Sequence, residues 1–299
     1  MKKTLVAIIG PTGIGKTDLG VFLAQKLNAE IISADSRQFY KELKIGTAVP
    51  SDEELAAVKH HFIGQLSIHD YYNASTFEFE VIDLLNDKFQ QFPNMLMVGG
   101  SGMYVDAVCR GIDDLPEIDQ EIRANLVAKF QNEGIESLRF ELKKLDPEYY
   151  DVVDLRNPKR ILKGLEICMM TGKTYTSFRK SIKKERDFNI IKIGLTMDRE
   201  KLYARIDKRV DLMVEQGLID EAKEFYQLKH LNSLNTVGYK ELFAHFDGEY
   251  DLEKAIELIK RNSRRYAKRQ LSWFKRDDEV NWFNREDKDG ILELVKKNT

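Results

Sequence analysis

Residues 10–17 read Gly-Pro-Thr-Gly-Ile-Gly-Lys-Thr and complete the pattern Gly-x-x-x-x-Gly-Lys-Thr, the tightest constraint on what this chain can fold into. An apolar run at 5–9 precedes the pattern and predicts a buried strand, and residues 18–27 carry helical spacing. Strand, glycine loop and helix in that order make a phosphate cradle. The glycines let successive backbone N–H groups converge on phosphate oxygens, and the helix amino end adds partial positive charge. Lys16 reaches the outer phosphates, and the Thr17 hydroxyl suits Mg²⁺. An ordinary glycine turn into a helix would require neither Lys16 nor Thr17 at that offset.

With 299 residues, 42% of them apolar and 32% charged, the chain has room for one large α/β domain with an insertion, and it is neither disordered nor fibrous. A net charge of −2 makes any nucleic-acid face a local patch rather than a global property. Cys109 and Cys168 lack CxxC spacing, which fits two small buried side chains in a reducing cytoplasm. The amino-terminal apolar run is too short for a membrane span and lacks a small-residue cleavage site, so no export signal and no membrane partner are expected.

Residues 30–34 predict a second short strand ending at Asp35, residues 76–92 a helix, and residues 95–98 a third strand closed by Gly99-Gly100-Ser101-Gly102. Such βαβ units predict a parallel sheet with ligands at the carboxyl ends of its strands, so the phosphate loop, Asp35 and Ser101 belong on one rim. From about residue 115 the character becomes charged and helical, with Asp146-Pro147 and Asn157-Pro158 as punctuation. A strand pattern returns at 190–195, and long helices follow to Arg276. The expected architecture is a P-loop NTPase-like α/β core with a parallel sheet. Its first part is 1–114, a helical insertion occupies 115–187, and residues 188–299 complete the core with basic carboxyl-terminal helices.

Two further features carry chemistry. Asp35 ends a hydrophobic run, so it suits either a Mg²⁺ ligand or a catalytic base facing the phosphates, with an amino-terminal cap as the plain alternative. Gln38, close by, offers both donors and acceptors, as needed to grip an adenine edge. Between Glu257 and Asp277 there is no acid, but there are Lys260, Arg261, Arg264, Arg265, Lys268, Arg269, Lys275 and Arg276. Charge of one sign over five turns repels itself unless phosphates lie nearby, which points to a polyanion. His60, His61 and His69 lack metal spacing and are expected to pack or to face solvent. Trp273 and Trp282 are expected to be packing anchors.

Together these blocks resemble the tRNA dimethylallyltransferase family, P-loop prenyltransferases that modify an adenosine beside the anticodon. The similarity runs along most of the chain, through residues 10–17, 33–40, 45–50, 98–104, 160–172, 202–209, 237–241 and 265–274. It implies that Gly10, Thr12, Gly13, Ile14, Gly15, Lys16 and Thr17 hold the diphosphate of dimethylallyl diphosphate, with Mg²⁺ on Thr17. Arg205 would neutralise the leaving group, and Asp35 would act as general base on the exocyclic amine of the target adenine. Ser36, Arg37 and Gln38 would line the pocket for that base, with Ser101 near the channel. Arg123 and Lys159, Arg160, Ile161, Leu162 and Lys163 would contact tRNA from the insertion, and Lys268 and Arg269 from the basic helix. A monomer is expected.

Three places depart from the family pattern: Val49 replaces a usual lysine, Arg37 a smaller or apolar residue, and Leu155-Arg156-Asn157-Pro158 a different run. A P-loop kinase would share the loop and the sheet, and would place Asp35 on Mg²⁺ or on an acceptor hydroxyl. It has no task for the acid-free helix or the insertion. A prenyltransferase acting on free adenine nucleotides would not need the insertion's reach. A non-catalytic RNA-binding protein would not need Lys16, Thr17 and Asp35 together.

Overall fold

The computed structural model describes residues 2–113, 115–116, 119–180 and 183–299, and the chain divides into two compact units, 1–109 with 185–299, and 110–184. Glu117, where the helical pattern of the insertion begins in sequence, lies outside the described residues.

The first unit is built on six strands: β1 (Thr4–Ile9), β2 (Ile31–Ser33), β3 (His60–His61), β4 (Asn94–Gly99), β5 (Asn189–Thr196) and β6 (Val280–Asn284). Their spatial order is β3-β2-β4-β1-β5-β6, and every pairing is parallel. Every residue of β1 is buried, which explains its unbroken apolar run: helices cover both faces, so nothing selects for alternation. Ile9 pairs with Gly99 on one side and Gly194 on the other, and Ser33 pairs with Val98. The chain therefore leaves β1, β2 and β4 along one edge, and residues 10–17, Asp35 and Ser101 all follow from it. This is the arrangement expected of the sequence.

Two strands were not legible. β3 is two histidines long, and β6, Val-Asn-Trp-Phe-Asn, pairs only with β5 at the sheet margin. Helix boundaries also moved for identifiable reasons. The first helix, Lys16–Leu27, begins two residues early because Gly15 takes a left-handed φ of 98° at its cap. The helix expected at 76–92 is Ala74–Lys88: Asn73 Oδ1 accepts the Ser75 and Thr76 N–H groups at 2.8 and 3.1 Å and fixes its start. Pro93 follows a turn at 89–92, beyond which a helix could not continue.

Two long helices on the carboxyl side, Arg199–Glu215 and Leu252–Phe274, pack together. The second buries Ala255, Ile259, Ala267, Gln270 and Phe274 along one stripe. Trp273 packs against Gly102 and donates its indole N–H to Asp106 at 2.8 Å, and Trp282 lies against Gly194, so both tryptophans anchor packing.

The second unit has its own core of Leu126, Leu138, Leu142, Tyr149, Ile161 and Leu165. These residues come from helices Gln120–Glu133, Ile135–Leu145, Pro147–Val152 and Pro158–Thr171. Fully buried Asp146 caps one helix at the Tyr149 N–H and also accepts the Thr176 N–H and hydroxyl, each at 2.8 Å. The unit closes on itself: the Lys184 N–H donates to the Arg110 carbonyl at 2.8 Å. Ile161 departs from the expectation of a tRNA-contacting side chain. Ile161 has no exposed surface, so its side chain is not available to RNA, and Leu162 is partly buried against the same cluster. Lys159 and Arg160, on the opposite side of that turn, are exposed.

Candidate functional site

The loop after β1 wraps around an anion-sized hollow. Gly13 adopts a φ of 78°, and a Cβ there would meet Ile206 at 2.9 Å, so only glycine fits. Gly13, Gly15, Lys16 and Thr17 line a cavity of about 420 Å³ with Thr12, and Ser33, Gln38, Arg205, Lys208 and Arg209 complete its polar wall. Ile31, Ile63, Val98 and Leu212 give the same cavity an apolar portion. Gly10 and Ile14 lie behind the loop; the Ile14 side chain is fully buried in the core.

The cations around this hollow are held by the loop itself. Lys16 Nζ donates to the Pro11 carbonyl at 2.9 Å, Arg205 Nε to the Gly13 carbonyl at 3.0 Å, and Arg209 Nη1 to Thr12 Oγ1 at 3.3 Å. Burial, helped by neighbouring Arg209 and opposed by Asp35, lowers the Lys16 ammonium to about 8. Burial also lowers Arg205 and Arg209 below the usual guanidinium range, and in Arg205 the nearby Arg285 adds to it. Three cations around one cavity, Lys16 and Arg209 of them largely withdrawn from water, favour a bound polyanion, because an anion restores stabilisation that water no longer supplies.

A second cavity, of about 330 Å³, is lined by Ser36, Arg37, Gly46, Asn235, Lys240, Tyr266 and Arg269, among others. Thr12, Asp35, Thr47 and Arg209 line both cavities, so the two meet at Asp35. Asp35 Oδ1 accepts the Arg37 N–H at 3.0 Å, and Oδ2 is free of hydrogen-bond partners among the described residues. Its capping role and its open oxygen coexist. The Ser36 N–H donates to Ser101 Oγ at 2.9 Å, and the Ser101 hydroxyl donates to Ser36 Oγ at 3.2 Å. Burial pushes the Tyr266 phenol up to about 12, with Asp35 adding to the shift.

Not every residue read from sequence faces the cavities freely. Gln38 has both ends of its amide engaged: Oε1 accepts the Ser33 hydroxyl at 3.0 Å, and Nε2 donates to the Thr47 and Ala48 carbonyls at 3.3 and 3.0 Å. The Arg37 guanidinium donates to the Asn232 and Asn235 carbonyls. In the basic helix, Lys260 pairs with Asp211 and Arg264 with Asp207, each at 2.5 Å, so part of the acid-free stripe finds its counter-charge on Arg199–Glu215. Lys268 and Arg269 are exposed, and Arg269 reaches the second cavity. In the second unit, Arg123 and Lys163 lie 3.7 and 3.9 Å from the carboxylate of Glu166.

Sequence reasoning missed Arg209, Gln270 and Tyr266. Arg209 sits one helical turn after Arg205, a spacing that puts both on one face of Arg199–Glu215. Gln270 is 5% exposed and clamps the loop: its Oε1 accepts the Thr12 N–H and its Nε2 donates to the Gly100 carbonyl, both at 2.8 Å. No local pattern announces such a residue, because its partners lie far away in sequence.

A Mg²⁺ at Thr17 would draw on few protein donors. Among the described residues no group of three or more His, Cys, Asp or Glu could hold a metal. The cavity offers instead hydroxyls, that of Thr17 among them, and the carboxylate of Asp35. Hard oxygen donors in small number fit a Mg²⁺ that takes its remaining ligands from phosphate and water. No helix among the described residues is long and apolar enough to cross a membrane.

Residues 38–277 match a family described as IPP transferase. A tRNA dimethylallyltransferase 1 of Bacteroides fragilis is 56% identical over 294 residues, covering 98% of each chain. Among solved structures, the full-length tRNA isopentenylpyrophosphate transferase of Bacillus halodurans superposes with a TM-score of 0.72 at 38% identity, over 99% of this chain and 96% of that one. A eukaryotic dimethylallyltransferase captured acting on tRNA superposes with a TM-score of 0.77 at 26% identity, over 95% of this chain and 74% of that one.

Proposed function

The chain belongs to the IPP transferase family, and from that premise we propose that it transfers the dimethylallyl group of dimethylallyl diphosphate to the exocyclic amine of a tRNA adenosine beside the anticodon. The observation that carries this reading is the meeting of two cavities at Asp35, one cationic and loop-lined, the other open toward Arg269 of the basic helix.

In the first cavity the loop amides, Lys16, Arg205 and Arg209 bind the diphosphate. The apolar portion at Ile31, Ile63, Val98 and Leu212 takes the five-carbon tail. The bond from allylic carbon to diphosphate oxygen breaks, the adenine amine forms the new carbon–nitrogen bond, and its proton passes to Asp35. Charge grows on the leaving oxygens, where fixed cations stabilise it without reorganising. An aromatic amine is a poor nucleophile, so a carboxylate within hydrogen-bond reach contributes about 10²–10⁴-fold. Thr17 would hold Mg²⁺, which when bound adds positive charge to the diphosphate. The target adenosine leaves its stack to enter the second cavity, at a cost of a few kcal/mol offset by contacts to its edge and to nearby phosphates.

Each unit brings exposed cations for tRNA, Lys159 and Arg160 on the insertion and Lys268 and Arg269 on the basic helix, and the enzyme works as a cytoplasmic monomer. The test is transfer of labelled dimethylallyl diphosphate to unmodified bulk tRNA with Mg²⁺, beside tubes holding AMP or ATP as acceptor. Label in tRNA that is lost in Lys16→Ala supports the reading. Label only in a mononucleotide, or none at all, refutes it.

A further inference from the structure

Residues 44–48 form a strap that borders both cavities: Gly46 and Thr47 line the second, Thr47 and Ala48 the first. The strap is gripped by one carboxylate. Glu221, on the helix Leu218–Glu224, accepts three consecutive backbone N–H groups: Lys44 at 3.0 and Ile45 at 2.8 Å through Oε2, and Gly46 at 2.8 Å through Oε1. Oε1 also accepts the Tyr239 hydroxyl at 2.6 Å. Tyr239 is completely buried, and its ring lies so close beneath Gly46 that a Cβ there would fall 2.6–2.7 Å from it. From the other side, Gln38 Nε2 donates to the Thr47 and Ala48 carbonyls, and the Thr47 hydroxyl donates to the Leu43 carbonyl at 2.5 Å.

Glu221 lines neither substrate cavity. Its charge-assisted bonds instead fix the height of the strap where donor and acceptor meet. We propose that Glu221 is a positioning residue for prenyl transfer: by holding residues 44–46 it sets Thr47 between the two cavities and thereby the approach of the two substrates. This rests on the donor-and-acceptor reading above. The diphosphate is held by Lys16, Arg205 and Arg209, none of them on the strap, so donor affinity is insulated from it. Turnover is not, because a displacement near 1 Å at reacting groups can cost about 10²-fold.

Glu221→Gln is the sharpest perturbation. It keeps shape but replaces one acceptor oxygen with an NH₂ that must face either two N–H groups or one N–H and a hydroxyl. Gly46→Ala moves the same strap from the opposite side by driving a methyl into the Tyr239 ring. Both variants, with wild type and Tyr239→Phe, are compared in kcat on tRNA, in the dissociation constant of dimethylallyl diphosphate with Mg²⁺, and in melting temperature. Glu221→Gln and Gly46→Ala are expected to lower kcat by about 10²-fold with little change in donor affinity, and Tyr239→Phe, which leaves the three N–H bonds in place, by much less. Wild-type kcat in Glu221→Gln, or a loss that follows melting temperature and donor affinity alike, overturns the proposal while leaving the enzyme's function intact. Absence of transfer by the wild-type protein overturns the functional reading and this inference with it.

Discussion

Replacing Gln270 with leucine tests whether the phosphate loop is held in place by the basic helix. Leucine has similar bulk and suits a site that is 5% exposed, so packing is largely kept. Two hydrogen bonds of 2.8 Å disappear, and with them the tie between Thr12 and Gly100. The Gly100 carbonyl is left buried and unpaired, at about 1–3 kcal/mol; the Thr12 N–H borders the cavities, where water relieves it, at about 1 kcal/mol. The sum, about 3 kcal/mol, is a sizeable part of the 5–15 kcal/mol typical of a domain but not all of it, so the variant folds. Thermal melting should fall by roughly 5–10 °C. Because the loop must be re-ordered when the diphosphate binds, about 1.4 kcal/mol of that cost returns as tenfold weaker donor binding by calorimetry. Gln270→Glu separates the two effects. Its second oxygen faces the Gly100 carbonyl, and its charge faces the anion site, so it should lose more donor affinity than the leucine variant at equal stability. A Gln270→Leu protein that melts within about 1 °C of wild type and binds donor normally would show that the loop stands on its own.

Asp35→Asn should lower turnover by about 10²–10⁴-fold while tRNA affinity, measured by filter binding, stays close to wild type; a large loss of affinity with normal turnover would refute the base assignment. Lys268→Gln and Arg269→Gln should each flatten the salt dependence of tRNA binding by roughly 0.7–0.9 in log–log slope for each phosphate contact removed. Lys260→Gln and Arg264→Gln should not, because Asp211 and Asp207 already neutralise those cations; equal effects at all four positions would move the RNA face. Burial pushes the Cys109 thiol up to about 12 and raises Cys168 as well, so neither should alkylate near neutral pH until the protein is denatured. Labelling of the native protein, read by mass spectrometry, would contradict their burial.

What sequence made legible is local. The loop at 10–17 carries its own conformational demands, and Asp35 stands at the end of a buried run, so both were readable from a few neighbours. The parallel sheet followed from the order of such runs. What stayed hidden depends on contacts between distant residues. Nothing near Gln270 reveals that it bonds Thr12, nor anything near Glu221 that it holds residues 44–46. The acid-free stretch 258–276 looked self-repelling because the acids that answer Lys260 and Arg264 belong to another helix. Ile161 and Leu162 came with a stretch that the family resemblance carried over as a tRNA contact, whereas helical geometry buries Ile161, partly buries Leu162 and leaves Lys159 and Arg160 outside. β3 was too short to leave a periodic signature.

The bond between Lys184 and Arg110 brings the two ends of residues 110–184 together. A segment whose two ends already touch imposes almost no closure entropy on the polypeptide that carries it. All six strands and both cavities are supplied by the remaining residues. Such a joint lets the excursion lengthen, shrink or be exchanged between homologues without disturbing the machinery of transfer. The length and sequence of the excursion can then vary on a schedule of their own, and a graft at this joint would leave the sheet and both cavities intact.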